Sequence, residues 1–340
     1  MKANYTPILT IRKPVFRDLN KPFFHLYICT FAHLHIIFLL FFLPTTVSAW
    51  GFYAHREINQ LAIYTLPGEM MVFYKQHIKE LREGATRPDQ RRFSLKEEAC
   101  RHFIDLEYYS IGDSCIAKGL REEDALLLFP ADSMNRHGRL PWHLQMMRYA
   151  LIKAFKQGDR DAVIRISAEC GHYIADACVP LHTTKNYNGQ YTGQHGIHGL
   201  WESRLPELFE KEYRYWVGPA EYQYNFSDIL WEIILSSHQA KDSVLNIERE
   251  LNKNFRPERK YSWEFRGQQL IKVISPEYAE AYHRLLDGMV EERMKLAVKT
   301  IGSFWFSCWK DAGEPRLGDM KDLYTLPADT VTVGGDKECH

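Results

Sequence analysis

The chain carries no excess charge of either sign. Lysine and arginine together number 43, and so do aspartate and glutamate, among 340 residues. No bulk basic field therefore exists to hold nucleic acid. None of the 7 cysteines forms a C-x-x-C pair, which argues against a thiolate zinc site. A G-x-S-x-G motif is missing, and with it the serine nucleophile that such an elbow presents. Internal repeats, low-complexity segments and a succession of alternating strand-like runs are absent as well. At 45% apolar and 25% charged residues the composition is ordinary for a globular chain. It excludes a disordered, collagen-like or multi-span membrane protein and suits one large domain or two small ones.

The first 49 residues read as an address. A basic stretch ends at Lys21, an apolar run covers residues 23–43, and Pro44 precedes the small residues Val47-Ser48-Ala49. This is the layout of a secretory signal peptide cleaved before Trp50, which predicts a periplasmic or secreted protein. The competing reading is an uncleaved anchor, because the run approaches spanning length. His25, His33 and His35 dilute it. Five basic residues (Lys2, Arg12, Lys13, Arg17, Lys21) and one acid, Asp18, lie in this segment. The remainder holds 38 basic and 42 acidic residues, a charge of about −4. Twelve of the 15 histidines lie in that remainder. Its cysteines are Cys100, Cys115, Cys170, Cys178, Cys308 and Cys339. Export would permit their oxidation, and spacing does not reveal their pairing. Asn225-Phe226-Ser227 matches a glycosylation sequon by pattern alone.

Residues 50–311 read as one all-α domain with a bundle-like core, and residues 312–340, where periodicity fades, as an irregular tail. Apolar residues recur at helical spacing over 141–177, with an interruption at Gly158-Asp159, and over 227–249 and 276–309. Asp159 or Asp161 is placed to cap the helix that runs to Cys178, and Pro180 ends it. Residues 83–94, 109–120, 129–139 and 183–196 read as loops.

The informative residues are histidines and carboxylates. His172 and Asp176 stand four apart and share a helix face, and His182 follows just past the Pro180 break. His198 and Glu202 repeat the four-residue spacing. Imidazole nitrogens and carboxylate oxygens so placed can converge on one ion, a donor set that suits zinc. His195 competes with His198 but stands seven residues from Glu202. Taken singly, His102 reads as a core histidine and Asp89 as one acid in the solvated charge run 87–92. His77, His137, His143, His238 and His283 have no comparable sequence partners and read as structural. A free amine at Trp50, with pKa about 8, could chelate a metal together with its own carbonyl, and His55 is near enough to add a ligand. Trp50 as a buried aromatic and His55 as a helix start is the plainer alternative.

In order, these residues are Trp50, His55, Asp89, His102, His172-x3-Asp176, His182 and His198-x3-Glu202. The pattern resembles the zinc-dependent phospholipase C / S1–P1 nuclease superfamily, whose members are exported and all-helical. The resemblance covers residues 50 to about 205. It implies three zinc ions: one on Asp89, His102, His172 and Asp176, one on His182, His198 and Glu202, and one on Trp50, His55 and a bridging Asp176. It also implies that Asp89 orients or deprotonates the attacking water, since a metal cluster makes a protein nucleophile unnecessary. Glu202 as the last ligand and the short gap from His182 to His198 resemble the phospholipase branch. The short gap from Trp50 to His55 resembles the nucleases. The expected partner is a phospholipid or a nucleic-acid phosphodiester, with transient membrane-surface contact and no obligate protein partner. An inactive exported zinc-binding protein is the further alternative; the completeness of the ligand set argues against it.

Overall fold

The computed structural model describes residues 51–112 and 114–322. Residues 1–50, which hold the expected signal peptide and Trp50, residue 113, and residues 323–340 with Cys339 lie outside the described residues. The fold is mostly helical, as the spacing predicts.

Helix α1 (Phe52–Ile63) buries Ala54, Ile58, Ala62 and Ile63, the three- and four-residue steps of a one-sided helix. Three shorter helices follow: α2 (Gly68–Gln76), α3 (Ile78–Gly84) and α4 (Arg87–Arg91). Helix α4 lies within a segment expected to be a loop, and Pro88 and Asp89 are buried in it. The run 87–92 is therefore not wholly a solvated one. A two-residue strand pair, β1 (Ser110–Ile111) with β2 (Ser114–Cys115), precedes α5 (Glu122–Leu128) and α6 (Ala131–His137). Helix α6 also falls within an expected loop.

Helices α7 (Leu140–Gln157) and α8 (Arg160–Ala177) form the centre. Gly158 closes α7 in the left-handed conformation at φ 66. Asp159 then caps α8, its carboxylate accepting from the Ala162 amide at 3.1 Å. Every residue from Ser167 to Ala177 is buried, so the second half of α8 is enclosed on all sides. Helices α1, α3, α7 and α13 (Met289–Asp311) pack around it. Close approach at one point depends on a missing side chain. A Cβ on Gly171 would lie 1.9 Å from Asn59 Oδ1. Asn59 cannot easily retreat, because its amide donates to the Leu81 and Ala168 carbonyls at 3.2 and 3.0 Å.

Beyond the site, Ile197–Gly199 and the π-turn Leu200–Arg204 lead into α10 (Leu205–Phe209), with the three-residue turn of helix at Ile197–Gly199 counted as α9. Helix α11 (Phe226–Asn254) begins at Asn225, which caps it by accepting from the Asp228 amide. The stretch 276–309 is not one helix. Asp287 at φ 47 and Gly288 at φ 79 split it into α12 (Pro276–Leu285) and α13. An antiparallel hairpin, β3 (Tyr261–Arg266) and β4 (Gln269–Ile274), was not expected. Its register pairs Trp263 with Lys272 and Arg266 with Gln269, around a turn at Gly267 with φ 62. The alternation was present in Tyr261-Ser262-Trp263-Glu264-Phe265, but its apolar members point outward: Trp263 is 65% exposed and Phe265 73%.

The described part of the expected tail packs back on the body. Leu317 and Met320 are buried, and the Lys321 carbonyl accepts from the Arg160 amide at 3.0 Å. Cys100, Cys115, Cys170, Cys178 and Cys308 are all unpaired. Among the described residues no helix is long and apolar enough to cross a membrane.

The Gly171 contact gives a direct test of the central packing. Gly171→Ala should lower stability by about 1–3 kcal/mol through overpacking against Asn59. Gly68→Ala, at an open position with nothing within 4 Å, should change it by less than about 0.5 kcal/mol. Thermal unfolding of the two variants checks this, and equal shifts would remove the proposed role of Gly171.

Candidate metal centre

Five histidines and three carboxylates converge on the buried end of α8. Helix α8 supplies His172 and Asp176 on one face; His172 Nε2 lies 3.3 Å from Asp176 Oδ2. His102 Nδ1 approaches the same oxygen at 3.0 Å, and Asp89 Oδ1 lies 3.8 Å from that nitrogen. His55, from α1, stacks on His172 with ring centroids 3.9 Å apart and brings Nε2 within 3.4 Å of Asp176 Oδ1. The second pair forms where Pro180 turns the chain into a short 3-10 helix, Pro180–Thr183. There His182 Nε2 meets Glu202 Oε2 at 3.3 Å, and His198 Nε2 meets Glu202 Oε1 at 2.9 Å. His182 Nδ1 is also 4.0 Å from Asp176 Oδ1, so Asp176 faces both halves.

Three groupings can each hold an ion: His55 with Asp89 and His172, His102 with His172 and Asp176, and His182 with His198 and Glu202. The last matches the set that the resemblance implies. The other two share His172, and His55 sits with Asp89 as well as beside Asp176. Trp50 is outside the described residues. Gly51, however, is buried, and a Cβ there would lie 2.9 Å from Ser203 Oγ, so the start of α1 touches the turn that carries Glu202. His195 is exposed and joins no grouping.

The histidines are held by their outer nitrogens. His172 Nδ1 donates to the Ala85 carbonyl at 2.8 Å, His182 Nδ1 to the His102 carbonyl at 2.6 Å, and His198 Nδ1 to the Tyr187 carbonyl at 3.1 Å. Each bond turns Nε2 inward as the donor atom for an ion. Behind His102 stands Glu98, fully buried, with Oε1 3.7 Å from Nε2. Glu98 accepts from Arg101 at 2.8 Å and from the Tyr173 hydroxyl. Arg91 grips Glu169 through two bonds of 2.7 and 3.0 Å. Most of this supporting layer is joined across separate segments, since Arg91, the pair Glu98 and Arg101, and the pair Glu169 and Tyr173 come from three of them.

The donor set fits zinc. Neither His55 nitrogen nor Asp176 Oδ1 makes a hydrogen bond, although all three atoms are buried. Buried polar atoms without partners are costly, and a cation held by Asp176 Oδ1 or by one His55 nitrogen would remove part of that cost. Electrostatics point the same way. Burial works to lower the imidazolium of His182, but Asp176 and Glu202 outweigh it and hold the group up at about 9. Burial would raise Glu202, yet His198 and His182 bring it down to about 2. Burial pushes His102 down to about 4 despite Asp176.

Beside the cluster opens a cavity of about 550 Å³. His102, His182 and His198 form its floor; Arg92, Arg136 and Lys185 bring positive charge to its walls. Phe103, Leu181, Tyr187 and Tyr191 add apolar surface. The loop between His182 and His198 keeps its own shape: Tyr191 N donates to Asn186 Oδ1 at 2.9 Å and Gly196 N to Asn188 Oδ1 at 3.0 Å. His137 also lines this cavity, paired with Asp105 at 3.1 Å, a partner that lies 32 residues away and is invisible to spacing rules.

Proton occupancy makes the metal-free stability depend on pH in a definite sense. His182 rises from an ordinary 6.5 to about 9 on folding, so its contribution is complete below 6.5 and is lost as pH climbs to 9. That loss amounts to up to about 3 kcal/mol. His102 works oppositely, its contribution being lost as pH falls from 6.5 to about 4. Metal-free protein should therefore melt at its highest temperature near pH 6.5, and His182→Gln should flatten the alkaline side. Calorimetry across pH 4–9 tests this; an unchanged alkaline side in the variant would contradict it.

A sequence profile described as zinc-dependent phospholipase C matches residues 54–265. The match covers more than half of the chain and contains every grouping from His55 to Glu202. Comparison with curated proteins returns no match. With a helical body, a complete histidine–carboxylate centre and a family profile spanning both, the chain belongs to the zinc-dependent phospholipase C family.

Proposed function

We propose that this protein is an exported phospholipase C, hydrolysing a phospholipid to diacylglycerol and a phosphorylated head group. The observation that carries the reading is the cavity that joins the metal centre to a wall of both charge and apolar surface. Arg92, Arg136 and Lys185 attract a phosphodiester. Phe103, Leu181 and the tyrosines suit the glycerol and first acyl carbons. Bound zinc would supply positive charge that offsets the phosphodiester anion and makes water acidic enough to attack at neutral pH. The residues that would hold it are His55, Asp89, His102, His172, Asp176, His182, His198 and Glu202, with Trp50 as the remaining ligand if the leader is removed. In this reading Asp89, which pairs with Arg92, takes the role of orienting the attacking water. The ion count in this reading is three, which is what the superfamily resemblance implies.

Two measurements test the reading. Zinc-loaded protein should hydrolyse phospholipid vesicles and leave single-stranded nucleic acid intact; the reverse result would make it a nuclease. Asp176→Asn should cost about a hundredfold or more in rate and lower zinc content, since both halves of the centre face this carboxylate. His195→Gln should be close to neutral.

Export and the N-terminal ligand can be tested together. A backbone amine binds metal only when free, so chains beginning at Trp50 should hold one zinc more than chains beginning at Ala49. Equal zinc content in both would remove Trp50 from the ligand set.

A further inference from the structure

The zinc ligands do not account for the proton that the leaving alcohol must gain. Diacylglycerol departs as an alkoxide of high basicity, and protonating it during bond cleavage lowers the barrier. One pair of side chains in the cavity is built for that task and belongs to no metal grouping. His137 closes α6, and its Nδ1 lies 3.1 Å from Asp105 Oδ2. The same two residues are joined through the backbone, the Asp105 amide donating to the His137 carbonyl at 2.7 Å. The imidazole lies flat on the Tyr108 ring, 4.1 Å away and inclined by 12°. Bond and stack together fix the ring plane and reserve Nδ1 for Asp105. Nε2 is then the nitrogen that exchanges protons, and the side chain is 33% exposed along the cavity wall.

The backbone ties this pair to the metal centre. Residues 102–106 run as one short segment, with His102 at its start and Asp105 three positions on. The Ile104 amide donates to the His182 carbonyl at 2.9 Å, and the Leu106 amide to Thr183 at 3.1 Å. On the other side, Gly138 at φ 88 lets α6 end against Phe103; a Cβ there would lie 2.0 Å from the Phe103 carbonyl oxygen. His102, His182 and His137 are thus held around one segment and open on one cavity.

We propose that His137, positioned by Asp105, donates the proton to the leaving oxygen during phosphodiester cleavage. The proposal rests on the phosphodiesterase reading above. The bond from phosphorus to the leaving oxygen breaks, and the proton on His137 Nε2 moves to that oxygen. The oxygen of water forms the new bond to phosphorus, and a proton lost by that water restores Nε2 through solvent. No oxidant or further reactant is required. Charged groups surround the pair. Burial, helped by Glu107, raises the Asp105 carboxyl to about 6, against the opposing influence of His137 and Lys185. Arg136 and Arg92 share the cavity, as do His102, His182 and His198. Of these, the three metal-centre histidines would be occupied by zinc and unable to donate.

The test varies the leaving group. His137→Gln should slow phospholipid hydrolysis by about a hundredfold or more. Hydrolysis of a p-nitrophenyl phosphodiester, whose leaving group needs no proton, should change by less than about threefold. Zinc content and melting temperature should stay at the parent values. Asp105→Asn should reproduce the selective loss and move the alkaline limb of the phospholipid kcat/KM profile to lower pH, because the imidazolium loses its carboxylate partner. Nitrogen NMR of the zinc-loaded protein should find neutral His137 protonated on Nδ1. Equal losses on both substrates, unaltered phospholipid turnover, or a neutral His137 protonated on Nε2 would each overturn the proposal. If the parent protein cleaves neither substrate, the phosphodiesterase reading fails first and the proposal with it.

Discussion

Asp176 is an ionised group with no access to water, and much of the architecture follows from that constraint. His172 and His182 hold its carboxyl well below the usual carboxylate range although burial opposes them. Such a charge is tolerable only among positive neighbours. The helix that carries it must therefore be surrounded by segments bringing histidines, and these come from α1, from the segment after α4, and from the turns on either side of the 183–196 loop. Those histidines need fixed directions in turn, which the carbonyls of Ala85, His102 and Tyr187 provide. The enclosed half of α8 is best understood as a platform for this one carboxylate.

Two kinds of organisation meet at the centre. Its inner side is backed by Glu98, Tyr173, Arg91 and Glu169, a layer of charge-assisted bonds. The outer side is the cavity, where Arg136 and Lys185 close no ion pair among the described residues, although Lys185 acts on the Asp105 carboxyl through space. The contrast separates support from recognition: cations already committed to glutamates hold the histidines, while uncommitted ones face whatever enters.

Spacing made visible what lies within one helical turn. His172 and Asp176, His198 and Glu202, and the cap at Asp159 could be read because residues four apart meet regardless of the rest of the fold. The ordered pattern of ligands extended this reach through resemblance alone. Contacts between distant segments left no such trace. His137 looked unpartnered because Asp105 reaches it only after α6 folds back across residues 102–106. The break at Asp287-Gly288 was hidden by apolar steps that run straight through it. The β3–β4 hairpin was missed because its large side chains face water, contrary to the usual inward alternation.

The π-turn over Leu200–Arg204 couples matters that otherwise look separate. Within five residues it presents Glu202 to His182 and His198, and sends Arg204 outward to Glu264 and the Ile274 carbonyl of the hairpin. Adding or removing one residue in a helical turn rotates everything beyond it by about 100°. Metal centre and hairpin are thus geared to a single ratchet. Substitutions at Leu200, Trp201 and Ser203 leave that gearing in place, but a change of length would disengage both, so the segment is constrained in count as much as in the identity of Glu202 and Arg204.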